Sequence, residues 1–433
     1  MKKASKEEIY DRLANVEDAR ACEAIDNDAC KQVPGNFVFM LISQVFSKFA
    51  DALLNPKVTL PWLMQGLGVS SAFIAWLVPI RESGSLLPQL AIASYIRTLS
   101  VRKWVWVVGA LIQALCIAAM VTIALTLTGS QAGWALVGVL SVFSLARGFN
   151  SIAAKDVLGK VIPKSQRGNI SGLAASMSGL ATLLFALILA IMPESIQYQA
   201  VLIALVLGFT MWLFAAGFYS QIVEYKGATD GGKNGLKLAL SKLKLLYQER
   251  SFGHFVLTRA LLLCSALSAP FYIVLASQQQ LNLPLLAIFM AVSGGASLIS
   301  APIWGRLSDL SSKLVLMVSA ALVTINGLVV YLVAQHDNAL LKSIWFLPSM
   351  YFLLSVAHQG VRLGRKTYLV NLAQGNQRTD YVSVSNTVIG VLLLLLGSIG
   401  FLDSWLSVSG LIVTYSLLGL VGAISAAFLA EVE

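Results

Sequence analysis

Residues Ala146–Gly172, ARGFNSIAAKDVLGKVIPKSQRGNISG, leave one apolar run, cross a short basic stretch through Lys155, Lys160, Lys164 and Arg167, and enter another apolar run. A second stretch of the same plan, Ala357–Ser383, AHQGVRLGRKTYLVNLAQGNQRTDYVS, lies in the other half of the chain. One offset places Lys155 on Lys366, Leu158 on Leu369, Gln166 on Gln377 and Arg167 on Arg378. Two halves of similar layout, each with a basic loop at the same place, point to a duplicated membrane bundle.

Composition supports the same conclusion. The chain is 57% hydrophobic and 12% charged, with a mean hydropathy of +0.76. A soluble protein could not bury that much apolar surface, so lipid is the expected solvent. An apolar slab of about 30 Å takes about 20 helical residues to cross, and runs of that length repeat from Phe37 to Leu429. They lack the alternation of barrel strands, which leaves helices as the way to satisfy the backbone in lipid. The expected fold is therefore an all-α membrane protein.

The net charge of +10 raises the question of nucleic acid. Lys and Arg, however, concentrate between alternate apolar runs and near the start, the positive-inside pattern of a membrane protein, so no nucleic-acid partner is expected. Cys22, Cys30, Cys116 and Cys264 have no CxxC spacing and read as free thiols. The start, MKKASKEEIYDRL, has no apolar core and does not read as a signal peptide.

Four regions follow: a tail over 1–35, a bundle over 36–222, a linker over 223–252 and a second bundle over 253–433. In the tail, Ser5 with Glu8 reads as a capping box, and Ile9, Leu13 and Val16 share one helical face. Twelve spans are expected, over 36–60, 70–96, 103–128, 132–155, 168–192, 198–222, 253–277, 284–309, 313–335, 343–365, 380–402 and 405–430. Basic residues fall after the even-numbered spans two to ten: Arg97, Arg102 and Lys103, the Lys155–Arg167 stretch, Lys226–Arg250, Arg306 and Lys313, and Arg365–Arg378. The opposite loops hold little that is basic beyond Lys57 and Lys342, so both termini are expected in the cytoplasm of a cell whose plasma (bacterial inner) membrane holds the chain. Within the linker, Leu236, Leu240, Leu243 and Leu246 against Lys237, Lys242 and Lys244 suggest an amphipathic helix on the inner leaflet.

Six spans, a linker and six spans, with duplicated loops, resemble the major facilitator superfamily. After span eight, Gly305-Arg306-Leu307-Ser308-Asp309 with Lys313 resembles the family's G-x-L-x-D-x-x-x-R/K loop, with Ser312 in the place of its second glycine. The resemblance implies that Gly305, Arg306, Asp309 and Lys313 gate the sliding of neighbouring helices. After span two, Ala91 and Tyr95 replace the glycine and the aspartate, leaving Arg97, Arg102 and Lys103. In span four, Arg147 to Ala154 resembles the family's R-x-x-x-G-x-x-A motif with serine for glycine, which implies a role for Arg147 in ion coupling. Span five has no interior proline, unlike the proton-driven drug antiporters of the family. The family's fold would be two pseudo-symmetric six-helix bundles, with spans one, four, seven and ten lining the central cavity.

Charge inside the membrane marks function by default. Lys48 and Asp51 stand three apart on one face of span one and are within reach of each other. Arg81 and Glu82 in span two point about 100° apart, so each needs another partner: Arg81 with Asp51, or Glu82 with Lys48. Pro79, Gly84 and Pro88 suggest a bent span two. By family analogy the cavity binds substrate through Lys48, Arg81, Arg147, Arg259 and Arg362, and an excess of cations favours an anion held by paired hydrogen bonds. Arg259 and Arg362 also lie where they could snorkel to headgroups. Asp51, Glu82 and His358 are the proton-coupling candidates. The aromatic residues Trp62, Trp76, Trp104, Trp106 and Trp134 read as interfacial anchors.

The expected function is secondary active transport by alternating access, with a proton-coupled small organic anion as substrate, the lipid bilayer as solvent and a monomer as the working unit. No phosphate-cradling loop, metal-ligand cluster or nucleophile–base set is present in the sequence, so no enzyme activity, cofactor or metal is expected. Two alternatives stay open: export or flipping of an amphiphile such as a drug or lipid, and a transport-dead membrane sensor or scaffold.

Overall fold

The computed structural model describes residues 32–432 except 89–91, 93–94, 97, 192–196, 228, 230–241, 280–284, 337 and 373–376. The tail with its capping box, Cys22, Cys30, Arg97 and most of the linker helix lie outside the described residues. Among the described residues, the regular secondary structure is helical, with no strand.

The described helices are consistent with the twelve expected spans, and the longest apolar runs form single helices. Span three is Lys103–Thr126, span four Gly129–Val161, span five Lys164–Ala190, span six Gln197–Ser220, span eight Leu285–Leu310, span nine Ser312–His336 and span twelve Val408–Ala427. Span eleven, Gln377–Gly397, continues as a 3-10 turn over Ser398–Ser404. Span seven is three consecutive pieces, Arg250–Leu261, Cys264–Leu267 and Ala269–Gln278. Among the described residues, nine helical runs are long and apolar enough to cross a membrane. Spans one, two and ten complete the set, and they carry a break or several charges. Span one is Val33–Leu53 followed by Thr59–Gly66, span two is Ser71–Ala75 followed by Leu77–Leu86 and its continuation, and span ten is Phe346–Leu372.

The basic stretches expected as loops after spans four and ten are largely helical. Span four runs on to Val161 and span ten to Leu372, positions that the sequence offset itself relates. A helix can leave the apolar slab and keep its backbone satisfied, so hydropathy marks the membrane boundary and not the helix end.

The pairwise packing repeats between the halves. Span three packs on four and six, span one on five and six, and span two on four; nine packs on ten and twelve, seven on eleven and twelve, and eight on ten. The halves meet where span five packs on eight and span two on eleven. At the end of the molecule away from the basic residues, Thr59–Gly66 and Ser71–Ala75 both pack on Ala269–Gln278, and Ser71–Ala75 packs on the 3-10 turn. A Cβ built on Gly400 would fall onto the Cβ of Ala75, and one on Gly397 would stand 2.5 Å from Pro79 Cγ. Glycine is what lets these backbones close that end.

Candidate functional site

Span one breaks at a turn that the sequence encodes locally. Pro56 cannot donate to a helix, and the Asn55 side chain accepts the Lys57 amide at 2.9 Å, an Asx turn in place of a helical bond. The turn carries Lys57 into the space between the halves. Lys57 was expected at the loop opposite the basic side; the break places it instead in a cavity of about 310 Å³, along with Lys48, Asp51, Arg81, Glu82, Arg147, His358 and Arg362. An adjoining cavity of about 180 Å³ adds Arg259 and Arg365. A third, of about 470 Å³, runs from Lys48 and Arg147 past Asn150 to Lys155 and Leu158 near the basic end of span four. The cavity thus reaches the basic side, while the opposite ends of the helices are packed shut.

Within it, Asp51 is the hub of the first half. Arg81 Nη2 donates to Asp51 Oδ1 at 2.9 Å, and Arg147 Nε stands 3.6 Å from Oδ2. Arg81 is buried, its guanidinium carbon 4.8 Å from the centre of the Phe143 ring. Of the two pairings expected for span two, the Arg81–Asp51 pair forms. Among the described residues no ion pair joins Lys48 to Asp51 or to Glu82; Lys48 stays exposed to the cavity. Glu82 has no described cation within ion-pair distance and faces Arg147, Lys57, Arg362 and Arg365 at longer range.

The second half uses other partners. Arg259 is buried against span eleven, with Nη1 donating to Ser385 Oγ at 2.6 Å and Nη2 to Asn386 Oδ1 at 2.9 Å. Both acceptors are neutral, so the guanidinium keeps its full charge towards the cavity. His358 lies 2.8 Å from Lys57 Nζ through Nε2 and 3.0 Å from Ser265 Oγ through Nδ1. Arg362 is exposed and lines three adjoining cavities. Ser293, Ser297, Tyr351, Ser355 and Gln359 complete the wall with neutral donors and acceptors.

Three comparisons bear on this arrangement. The family model described as "Major Facilitator Superfamily" matches residues 40–398. The chain belongs to the major facilitator superfamily. It is accordingly an integral membrane protein built as a secondary transporter. Among solved structures, the nucleoside transporter NupG is similar at TM-score 0.69 with 14% identity, over 90% of this chain and 99% of that one. A POT family transporter in complex with 5-aminolevulinic acid gives TM-score 0.67 at 11% identity, over 90% and 94%. A D-xylose-proton symporter gives TM-score 0.66 at 12% identity, over 92% and 97%. At these identities the likeness is one of fold. No curated protein sequence matches the chain.

Gly305, Arg306 and Lys313, expected to gate the helices, do not line these cavities. Gly305 falls inside span eight, where a Cβ would meet nothing within 4 Å, so close packing is not what calls for glycine there in this conformation. Arg306 is exposed, the Asp309 side chain lies outside the described residues, and Lys313 pairs with Glu431 at 2.8 Å. The first half, which lacks the motif's aspartate, places a carboxylate from after span six at the start of span three. Glu224 accepts the amides of Arg102 at 2.8 Å and Lys103 at 2.6 Å, and Lys160 Nζ at 2.8 Å. Arg102 also pairs with Asp156 at 2.9 Å. An acid at a helix N-terminus meets unsatisfied amides and the positive end of the dipole.

Sequence reasoning missed Lys57, Arg365 and Glu224. The Asn55-Pro56 pair was the available signal for the first. One aromatic also moves: Trp106, expected at the interface, is buried and stacks on Tyr219 at 3.9 Å between ring centres, whereas Trp104 and Trp134 are exposed as expected.

Proposed function

We propose that the chain carries a small organic anion across the membrane by alternating access, with movement of a proton, and that its termini and basic face lie in the cytoplasm. The observation that carries this reading is the charge of the cavity: Lys48, Lys57, Arg81, Arg147, Arg259, Arg362 and Arg365 stand against two acids, Asp51 and Glu82. Arg81 is neutralised by Asp51, which leaves the exposed Lys48 and Arg362 and the half-exposed Arg147 to receive substrate. Two guanidinium groups on opposite halves suit an anion with a carboxylate or phosphate, because each fork offers paired hydrogen bonds. Such an anion would offset the repulsion between Arg147 of span four and Arg362 of span ten, drawing the halves together around it. In this reading Arg81 and Arg259 set the field, and Gly305, Arg306, Asp309 and Lys313 act on the conformational step. Asp51, Glu82 and His358 are the groups from which the proton site is drawn.

The test is proton exchange by the purified protein in weakly buffered detergent, followed with a pH dye. Monocarboxylates, dicarboxylates, phosphate monoesters and neutral amphiphiles would be added in turn. Saturable proton uptake with one anion class supports the proposal; silence across all the anions overturns it. Binding of amphiphiles alone would favour a second reading, export of an amphiphile. That reading draws on a cavity of about 590 Å³ along spans five and eight, lined by Ala175, Gly179, Leu183, Met290 and Leu298.

A further inference from the structure

The contact between Lys57 and His358 is a hydrogen bond between the two halves of the molecule, and its chemistry can be read from its neighbours. Ser265 Oγ donates to the Leu262 carbonyl at 2.9 Å, which uses its single hydroxyl hydrogen. The bond of 3.0 Å between Ser265 Oγ and His358 Nδ1 must then be donated by the ring, as Nδ1–H. In a neutral imidazole that leaves Nε2 as an acceptor, and Lys57 Nζ, 2.8 Å away, as its donor. The direction of the whole chain, Lys57 to His358 to Ser265 to Leu262, follows from its two ends, an ammonium that can only donate and a backbone carbonyl that can only accept.

This polarity makes the contact sensitive to one proton. A proton added to Nε2 removes the lone pair that Lys57 occupies and sets an imidazolium against an ammonium. An ammonium has no lone pair to accept from Nε2–H, so the charged lysine is driven off and the bond between span ten and the span-one turn is lost. The surrounding charges decide when that happens. Facing the pair are Arg362 and Arg365 on the histidine's own span, Glu82 on span two, Arg147 on span four and Arg259 on span seven. Asp51 and Lys48 of span one line the same cavity. With the cavity empty, the cations outnumber the acids and oppose a further proton. An anion seated beside Arg362 cancels part of that field and favours the proton.

We propose that the Lys57–His358 pair is the proton-carrying site and also the bolt between the halves, so that an arriving anion loads a proton onto His358 and releases the bolt. Asp51 keeps its contacts with Arg81 and Arg147 throughout. The proton comes from water on the side to which the cavity is open, rides on Nε2 and returns to water on the other side once the anion has left. No other group changes its bonding. The trigger rests on the anion reading above, whereas the resting tautomer does not.

The chain has three histidines, so the full-length protein labelled with imidazole-15N histidine gives a readable spectrum in detergent. The His358 signal is assigned by its loss in His358→Gln. Without substrate and at alkaline pH, the expected signal is the Nδ1–H tautomer with Nε2 unprotonated and hydrogen-bonded; acidification alone, or an anion from the panel at fixed pH, protonates both nitrogens. Proton uptake on binding that anion is expected to vanish in His358→Gln, with anion binding weakened but still measurable, and to persist in Lys57→Met, where the ring keeps its acceptor. An Nε2–H tautomer at rest overturns the proposal, and so does uptake that is lost in Lys57→Met but kept in His358→Gln. If an anion binds with uptake that His358→Gln leaves intact, the transport reading stands and this one falls. If no anion binds, the transport reading falls, and the tautomer with its acid titration still decides whether the bolt exists.

Discussion

Arg147 and His358 occupy the same place in the two halves: the offset that carries Lys155 onto Lys366 carries one onto the other. Both face the cavity from the middle of spans four and ten, and both meet a group of span one. Arg147 stands 3.6 Å from the Asp51 carboxylate, and His358 lies 2.8 Å from the Lys57 amine. The first contact joins a cation to a carboxylate; the second joins a cation to an imidazole, a ring that can carry one proton more. Duplication has kept the scaffold while dividing the work. One half holds a fixed charge pair within its own bundle, and the other holds a titratable contact that crosses to the opposite bundle.

The largest effect should come from breaking the fixed pair. Asp51→Asn leaves Arg81 buried with no anion and Arg147 facing it. Removing one member of a buried pair destabilises by about 3–5 kcal/mol; Asp51 is 27% exposed to the cavity, so a loss at the lower end of that range, with thermal unfolding in detergent below that of the parent, is expected. Because the loss is an uncompensated charge, adding Arg81→Met should recover much of it. An unshifted Asp51→Asn midpoint would mean that the first half is not held by this pair.

Next in size is Glu224→Ala. It strips a carboxylate with a fully buried side chain from Lys160 and from the amides of Arg102 and Lys103. Charge-assisted hydrogen bonds of this kind are worth about 1.5–3 kcal/mol, and water at the membrane surface can replace part of them. A loss near the bottom of that range, with faster proteolysis between spans six and seven, is the expected result. Equal proteolysis in parent and variant would show that Glu224 does not fasten the start of the linker.

The third test converts one half into the other. His358→Arg puts a fixed cation where the titratable ring stood. In the parent, anion affinity should rise as pH falls, by up to about tenfold per pH unit while one proton is linked to binding. The sign follows from the anion favouring the protonated ring. In His358→Arg the dependence should flatten. A profile that keeps its slope would move the linked proton to Glu82, the remaining acid with no ion-pair partner among the described residues.

Much of this was legible in the sequence, and the failures have physical causes. Periodicity and hydropathy identify the spans because lipid leaves the backbone no alternative to helix. Arg81 and Asp51 could be matched because each was a buried charge in need of a partner. Lys57 was not legible from charge alone, since a lysine near a span end ordinarily marks an interface; only the Asn55-Pro56 turn reveals that the chain folds back there. Arg365 was assigned to a loop because hydropathy falls after it, whereas helix continues to Leu372. Glu224 was invisible as a partner of Arg102 because 122 residues separate them, a pairing set by tertiary packing alone. The contact of Ser265 with His358 spans 93 residues and, like that of Glu224, has no counterpart in sequence.

The smallest effect is expected at the second half's own basic end. Lys313 meets Glu431 at 2.8 Å, the same distance at which Lys160 meets Glu224, yet Glu431 is 71% exposed and the Glu224 side chain is not exposed at all. Equal length does not mean equal strength. In water the ion pair gains little over hydration, and exposed pairs contribute about 0–1 kcal/mol. Lys313→Ala should therefore leave the unfolding midpoint almost where it was, and raising the salt should barely separate the two proteins. If instead Lys313→Ala matched Glu224→Ala, the Lys313–Glu431 contact would have to be desolvated in the working protein. A second conformation, with the basic ends of spans eight, nine and twelve drawn together, would then be where Lys313 acts.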